Sequence, residues 1–114
     1  MNKREAGDYL EDILNSMLAI QEFTEDYSYD NFTADKKTQY AVIRAIEIIG
    51  EASKNVPSTC KEKYPDIPWR EMGAMRDRLI HGYFGVDLIF VWDTVKKDIP
   101  PLISFFQRIV DEMD

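Results

Sequence analysis

Residues 34–55 constrain the fold more than any other segment, because their apolar side chains cover more than one side of a helix. One stripe at helical spacing contains Val42, Ala45, Ile46, Ile49 and Ala52. Ile43 and Ile48 lie off that stripe. A helix that is apolar on more than one side is buried on more than one side, so we expect a central helix or a subunit interface. Gly50 costs about 1 kcal/mol relative to alanine inside a helix, and we expect it to admit another backbone at close range.

A first helix is predicted over residues 5–26, before the segment 27–37 breaks the helical pattern. Its buried face is predicted to contain Leu10, Ile13, Leu14, Met17, Leu18 and Gln21. Thr33 is the predicted N-cap of the helix over residues 34–55. Tyr27, Tyr29 and Phe32 either pack the loop between the two helices or form a platform on which nucleic-acid bases stack.

The second half of the chain is also predicted to be helical. A short helical turn is expected around Ser58–Lys63, and Pro68 is placed to begin a third helix that Gly82 ends. The predicted buried side of that helix contains Trp69, Met72 and Met75 or Leu79. A last helix runs from about Asp87 to Met113 and must be interrupted or split at Pro100–Pro101. With no alternating strand pattern, the prediction is one all-α domain over residues 1–114, an up-and-down bundle of four to five helices.

Charge and composition restrict where the chain works and what it binds. No apolar run approaches the roughly 18 to 20 residues that span a bilayer, and the start MNKREAGDYLED turns acidic at once, unlike a signal peptide. We therefore expect a cytoplasmic protein. The net charge of -7 disfavours nucleic acid at long range. Residues 54–81, however, carry six basic against four acidic side chains, so an anion site is compatible with this segment.

The stretch RDRLIHGYF, residues 76–84, contains the residues best suited to chemistry. His81, the sole histidine, can accept and donate a proton near neutral pH. Arg76 offers a guanidinium that stabilises charge developing on a phosphate. Asp77 lies four residues before His81 on the same helix face and is placed to orient the imidazole. Arg78 is a second candidate phosphate contact. Arg76 and His81 lie about 140° apart on an ideal helix, so they converge only if the helix ends near His81 or Arg76 reaches around.

Structural roles must be weighed against these catalytic ones. His81 is also suited to capping the helix C-terminus, and the arginines to surface ion pairs. Glu47 and Glu51 share one helix face, but a helical metal site needs further ligands. We therefore expect these two glutamates to be solvated, to lie in an interface, or to pair with a basic residue of their own helix, Arg44 or Lys54. Cys60 is expected to be an exposed, uninvolved thiol whose pKa its neighbour Lys61 lowers modestly.

The segment RDRLIHGYF resembles the Arg-x4-His-x-Tyr motif of the HEPN superfamily, in particular the HepT-like toxins. The similarity extends, in the same order, over IRAIEIIGEASKNV (residues 43–56), IPWREMGAMRDRLIHGYFGVD (67–87) and VWDTVKKDIPPLISFF (91–106). It therefore covers most of the chain. The resemblance implies a HEPN-like helical bundle that forms a homodimer, with the two motifs facing each other across the interface.

The resemblance also implies a function: a metal-independent endoribonuclease toxin that needs no cofactor and acts on RNA, not on DNA or membranes. Arg76 and His81 would be catalytic, Asp77 and Arg78 supporting, and Tyr83 would lie beside them. The implied partner is a minimal nucleotidyltransferase antitoxin, which in some members of the family transfers AMP to the tyrosine that corresponds to Tyr83. The alternative is a non-catalytic module of the same fold that binds nucleotide or phosphate and associates with a nucleotidyltransferase.

Overall fold

The elements of the protein are helices joined by short connections. The computed structural model describes residues 5–79 and 85–113. The helices are α1 (Ala6–Phe23), α2 (Tyr29–Thr33), α3 (Lys36–Asn55), α4 (Ser58–Lys63), α5 (Trp69–Leu79), α6 (Leu88–Asp93) and α7 (Ile99–Met113). A π-helical turn, Thr94–Asp98, joins α6 directly to α7. The predicted all-α architecture is confirmed.

Helix α3 lies at the centre of the packing. It packs against α1 and against α5, while α1 also packs against α7. The predicted stripe of α3 is buried throughout, and Ile43 and Ile48 are half-buried beside it. The largest fully buried side chains include Leu10, Met17, Phe32, Ile46, Ile49, Met72 and Phe106. The prediction of a central helix at residues 34–55 is therefore confirmed, and the burial of these side chains is the main stabilising contribution to the fold.

The buried face of α1 differs from the prediction near its C-terminal end. Ser16 and Ile20 are buried, whereas Leu18 is 39% exposed and Gln21 is exposed. The side chains that pack into the core are those of Ile13, Met17 and Ile20. The buried face is therefore rotated about the helix axis away from the predicted positions Leu18 and Gln21. A capping box begins the helix, in which Glu5 and Asp8 accept each other's backbone N–H groups.

Thr33 is not the N-cap of the central helix, as the sequence had suggested. It is the last residue of α2, a short helix that the sequence pattern did not predict. Asp35 begins α3 instead: its carboxylate accepts from the Thr38 backbone N–H at 3.1 Å and from the Tyr27 hydroxyl at 2.6 Å. Both residues are good N-caps, and the additional bond from Tyr27 favours Asp35.

The aromatic residues around α2 pack the fold. Phe32 is fully buried, with its ring centroid 5.1 Å from that of Trp92, and the Tyr29 ring lies 6.2 Å from the same indole. Together with the hydrogen bond from Tyr27 to Asp35, these contacts match the loop-packing alternative. The base-stacking alternative does not fit, because Phe32 has no exposed face.

The connections around α4 and α5 agree closely with the prediction. Helix α4 occupies Ser58–Lys63, and α5 begins at Trp69, one residue after Pro68. The Pro68 carbonyl accepts the first helical hydrogen bond, from the Met72 N–H at 3.0 Å. The predicted stop at Gly82 lies outside the described residues.

The predicted interruption of the last helix is present, and it falls just before the proline pair. Ile99 donates its N–H to the Thr94 carbonyl, a bond that spans five residues and widens the helix over Thr94–Asp98. Pro100 and Pro101 have no N–H, and their rings would crowd the carbonyls of the preceding turn in a regular α-helix. The π-helical turn relieves that crowding, so the chain continues into α7 without a break.

Candidate active site

Helix α5 carries the described part of the sequence motif. Its buried residues Met72, Met75 and Leu79 face the core, which leaves Arg76, Asp77 and Arg78 exposed at the C-terminal end of the helix. His81 and Tyr83 lie outside the described residues, so their positions relative to Arg76 stay a prediction. The described geometry therefore concerns the guanidinium and carboxylate groups of the motif.

Arg76 lies between two carboxylates of α3. Its Nε atom is 4.0 Å from Glu47 Oε2, and its Nη1 atom is 3.8 Å from Glu51 Oε2. The Arg76 side chain is 53% exposed, so solvent and a ligand can reach the guanidinium. Of the three alternatives that the sequence left open for these glutamates, pairing with Arg44 or Lys54 was wrong, whereas their exposed fractions of 36% and 62% fit the solvated one. Glu47 and Glu51 were not predicted as partners of Arg76, although they lie four residues apart and therefore on one face of α3.

Gly50 explains how Arg76 comes to lie between these glutamates. A Cβ atom added to Gly50 would lie 3.5 Å from both Arg76 Cβ and the Met72 carbonyl oxygen. The backbones of α3 and α5 therefore approach closely at this point, as the sequence predicted. The Arg76 side chain leaves the crossing point along the surface of α3, where Glu47 and Glu51 lie one helical turn apart on the same face.

Arg78 faces a different neighbour. Its guanidinium carbon lies 4.5 Å from the centre of the Phe90 ring in α6, a cation–π contact. This contact ties α5 to α6, and the Asp87 N–H donates to the Leu79 carbonyl at 3.0 Å close by. Arg76 and Arg78 thus contact different helices. The side chain of Arg78 is exposed. To contact a phosphate, it must either reach the phosphate while stacked on Phe90 or leave the Phe90 ring.

Asp77 lies at one end of an open groove of about 450 Å³ between α3, α4 and α5. The other lining residues are Lys54, Lys61, Trp69, Arg70, Gly73 and Ala74. Three of these side chains are cationic, so the carboxylate of Asp77 faces a positively charged surface. The sequence had indicated this surface only as the net-positive segment 54–81.

Two ionisable groups outside the motif have shifted pKa values. Hydrogen bonds from Tyr27 and Thr38 lower the pKa of Asp35 to about 2. Burial raises the pKa of the Cys60 thiol, and Lys63 opposes this shift only in part. The expected lowering of the Cys60 pKa by Lys61 was therefore wrong, and the half-buried thiol is protonated near neutral pH.

Within residues 5–79 and 85–113, no three histidine, cysteine, aspartate or glutamate side chains are grouped so that they could hold a metal ion. No helix in the same ranges is long and apolar enough to cross a membrane.

Comparison with known proteins adds the family. Residues 13–109 match the family model described as "Ribonuclease HepT-like". The "Probable ribonuclease HepT" of Thermococcus cleftensis is 57% identical over 107 residues, which cover 94% of this chain and 97% of that protein. A Methanocaldococcus jannaschii protein named a "Putative RNase" is 46% identical over 114 residues, covering 100% of this chain and 98% of its own.

A second protein of Methanocaldococcus jannaschii is longer. It is named "Gamma-glutamylcyclotransferase and putative RNase" and is 53% identical over 106 residues. These cover 93% of this chain but 48% of that protein. No solved structure matches the chain.

Proposed function

Because the chain belongs to the HepT-like ribonuclease family, we propose that it is a metal-independent endoribonuclease whose catalytic residues are Arg76 and His81. The observation that carries the proposal is the position of Arg76. Its guanidinium is half-exposed at the end of α5, and two carboxylates direct it without burying it. A charged group that is both directed and accessible is suited to stabilise the phosphate in a transition state.

The proposed reaction is an internal transfer at phosphorus. His81 removes the proton from a ribose 2′-OH, the 2′-oxygen attacks the adjacent phosphorus, and the bond from phosphorus to the 5′-oxygen breaks. A proton passes to the departing 5′-oxygen, so the products are a 2′,3′-cyclic phosphate and a 5′-hydroxyl. Arg76 stabilises the negative charge that develops on the phosphate oxygens. Asp77 orients the imidazole of His81, and Arg78 is an auxiliary phosphate contact.

A homodimer is part of the proposal. Two copies would bring two sets of Arg76, Arg78 and His81 into one cleft and so increase its positive charge. The half-exposed Ile43 and Ile48 of the central helix support it, since a second copy could cover them. Light scattering of the purified protein tests this part directly: a dimer mass is expected, and a monomer mass would contradict it.

The proposed biological role is that of a toxin neutralised by a minimal nucleotidyltransferase, with Tyr83 as the residue that receives AMP. A bulky anionic group next to Arg76 and His81 would occupy and repel the place of an RNA phosphate. The test is co-expression with such a nucleotidyltransferase, followed by mass spectrometry of the tyrosine-containing peptide. AMP on Tyr83 together with lost RNA cleavage is expected, whereas modification elsewhere would contradict the assignment.

The second candidate function is a non-catalytic module that binds nucleotide or phosphate. The ion pairs of Arg76 favour it, because Glu47 and Glu51 reduce the positive charge available to a transition state. Cleavage of single-stranded RNA in EDTA separates the two functions. We expect the wild type and Arg108→Ala, a control at an exposed arginine of α7, to cut, and Arg76→Ala and His81→Ala not to cut. Equal cleavage by all four proteins would indicate a contaminant and refute the site.

A further inference from the structure

We propose that the groove between α3, α4 and α5 binds the sugar–phosphate backbone of the substrate RNA beyond the bond that is cut. We call it the basic groove; it is the groove lined by Lys54, Lys61, Trp69, Arg70, Gly73, Ala74 and Asp77. The inference rests on the proposed ribonuclease function, and it adds a substrate-binding surface outside the Arg-x4-His-x-Tyr motif.

The charges of the basic groove come from three separate helices. Lys54 belongs to α3, Lys61 to α4 and Arg70 to α5, and one carboxylate, that of Asp77, faces them. The ion pairs formed within residues 5–79 and 85–113 engage Arg76 and Lys97, and none of them uses a cation of the basic groove. These cations therefore remain available to an anionic ligand, in contrast to Arg76, which has two carboxylate partners.

The local packing gives the basic groove a defined shape. Gly73 leaves room for the Lys54 side chain, whose Cγ lies only 3.3 Å from where a Cβ of residue 73 would be. The Lys54 stem thus rests on α5. Trp69 is also held in place, because its Nε1–H donates to the Tyr64 carbonyl at 3.0 Å and its ring packs edge-on against Phe106. Proteins that bind single-stranded nucleic acid combine such a cationic groove with aromatic side chains on which bases stack.

The position of the basic groove favours RNA as its ligand. Asp77 lines the groove and directly follows Arg76 in the chain, so the groove adjoins the segment that carries the proposed catalytic arginine. The groove is open to solvent and its three cations come from three helices, so an extended chain of phosphates can lie across them. Since the whole chain carries a charge of -7, long-range attraction for RNA is weak. A local group of cations is then needed to hold the strand.

The first test measures RNA binding in Lys54→Gln/Lys61→Gln. The matched control is Lys36→Gln/Lys37→Gln, which removes the same charge from two exposed lysines at the start of α3. The probe is a labelled 2′-O-methyl RNA of about 20 nucleotides, longer than a typical single-strand site and without the attacking hydroxyl. By fluorescence anisotropy, we expect the groove variant to bind roughly tenfold more weakly at low salt. The slope of log affinity against log salt should fall by about 1.4, while the control stays near the wild type.

The second test compares cleavage of a long and a short substrate. The groove variant is expected to raise KM for an unmodified single-stranded RNA and to leave kcat/KM for the dinucleoside monophosphate UpA unchanged, because the single phosphate of UpA is the one at the bond that is cut. If the wild type cuts neither substrate, the proposed function fails, and the anisotropy still decides whether the groove binds RNA. Equal affinity and salt slope in the groove variant and its control would overturn the inference.

Discussion

The ion pairs of Arg76 lead to a prediction about two residues that the sequence did not connect with the motif. We consider the double substitution Glu47→Gln/Glu51→Gln, which keeps the size of both side chains and removes both charges. The guanidinium of Arg76 then loses two partners at 4.0 and 3.8 Å. Two effects are expected: a small loss of stability and a gain in affinity for RNA.

The magnitude of both effects follows from exposure and distance. Two unit charges about 4 Å apart in water interact by about 1 kcal/mol. The side chains are 53% exposed in Arg76, 36% in Glu47 and 62% in Glu51, so solvent screens these pairs. Exposed pairs of this kind contribute about 0.2 to 1 kcal/mol each. Both distances are at the long end for an ion pair, so we expect the lower part of the combined range. The free energy of unfolding should fall by about 0.4 to 1 kcal/mol, and RNA affinity at low salt should rise by up to about fivefold.

Urea unfolding and fluorescence anisotropy measure the two effects. The control is Glu22→Gln/Glu25→Gln, which removes the same charge from two exposed glutamates, one in the last turn of α1 and one in the turn that follows it. The gain in affinity should exceed that of the control at low salt and vanish at high salt, where exposed charges are screened. Weaker RNA binding than in the wild type would refute the reasoning. It would mean that the glutamates strengthen RNA binding by positioning Arg76 more than they weaken it by competing with RNA for the guanidinium.

Three further predictions follow from single contacts. Gly50→Ala should stabilise the protein by about 0.5 to 1 kcal/mol in urea unfolding, because the new Cβ fits at 3.5 Å and alanine favours the helix; Gly50→Leu should destabilise it, and a stable leucine variant would contradict the close approach of α3 and α5. Phe90→Leu should lower the free energy of unfolding by about 0.5 to 1 kcal/mol more in the wild type than in the Arg78→Gln variant, because only the wild type has a cation–π contact to lose. An equal loss in both backgrounds would argue against that contact. Asp35 has a pKa of about 2 when folded against 3.8 ordinarily, so its stabilising effect is present above pH 3.8 and is lost as the pH falls toward 2. Asp35→Asn should therefore flatten the pH dependence of stability in that window, and an unchanged dependence would refute the assignment.

The sequence was sufficient for features that depend on periodic burial. The stripe around Ile46 and Ile49 predicted the central helix, because a helix with that pattern must be buried. Pro100–Pro101 predicted an interruption, since proline cannot join the regular hydrogen-bond ladder. Its form, a π-helical turn just before the pair, is one of several ways to relieve the crowding by the proline rings, and periodicity does not distinguish between them.

Features that depend on tertiary contacts could not be predicted from local patterns. Thr33 and Asp35 are both chemically suitable N-caps, and they are distinguished by hydrogen bonds that the sequence does not reveal: Asp35 accepts from Tyr27 and Thr38, whereas the Thr33 hydroxyl donates to the Asp30 carbonyl within α2. The partners that the sequence suggested for Glu47 and Glu51, as one of three alternatives, lie in their own helix, because such pairs are visible in sequence. Their actual partner is Arg76, which lies more than twenty positions later and reaches them only through the crossing at Gly50.

The candidate site was predicted from the family resemblance together with the chemistry of its residues. In the proposed reaction, the 2′-hydroxyl of the RNA itself is the nucleophile. The most direct measurement is the identity of the ends produced when the purified protein cuts a single-stranded RNA in EDTA. We predict a 2′,3′-cyclic phosphate on one fragment and a 5′-hydroxyl on the other, with no cut where the ribose preceding the broken bond is 2′-deoxy. Fragments that end in a 3′-hydroxyl and a 5′-phosphate, or cleavage after a 2′-deoxyribose, would contradict this account.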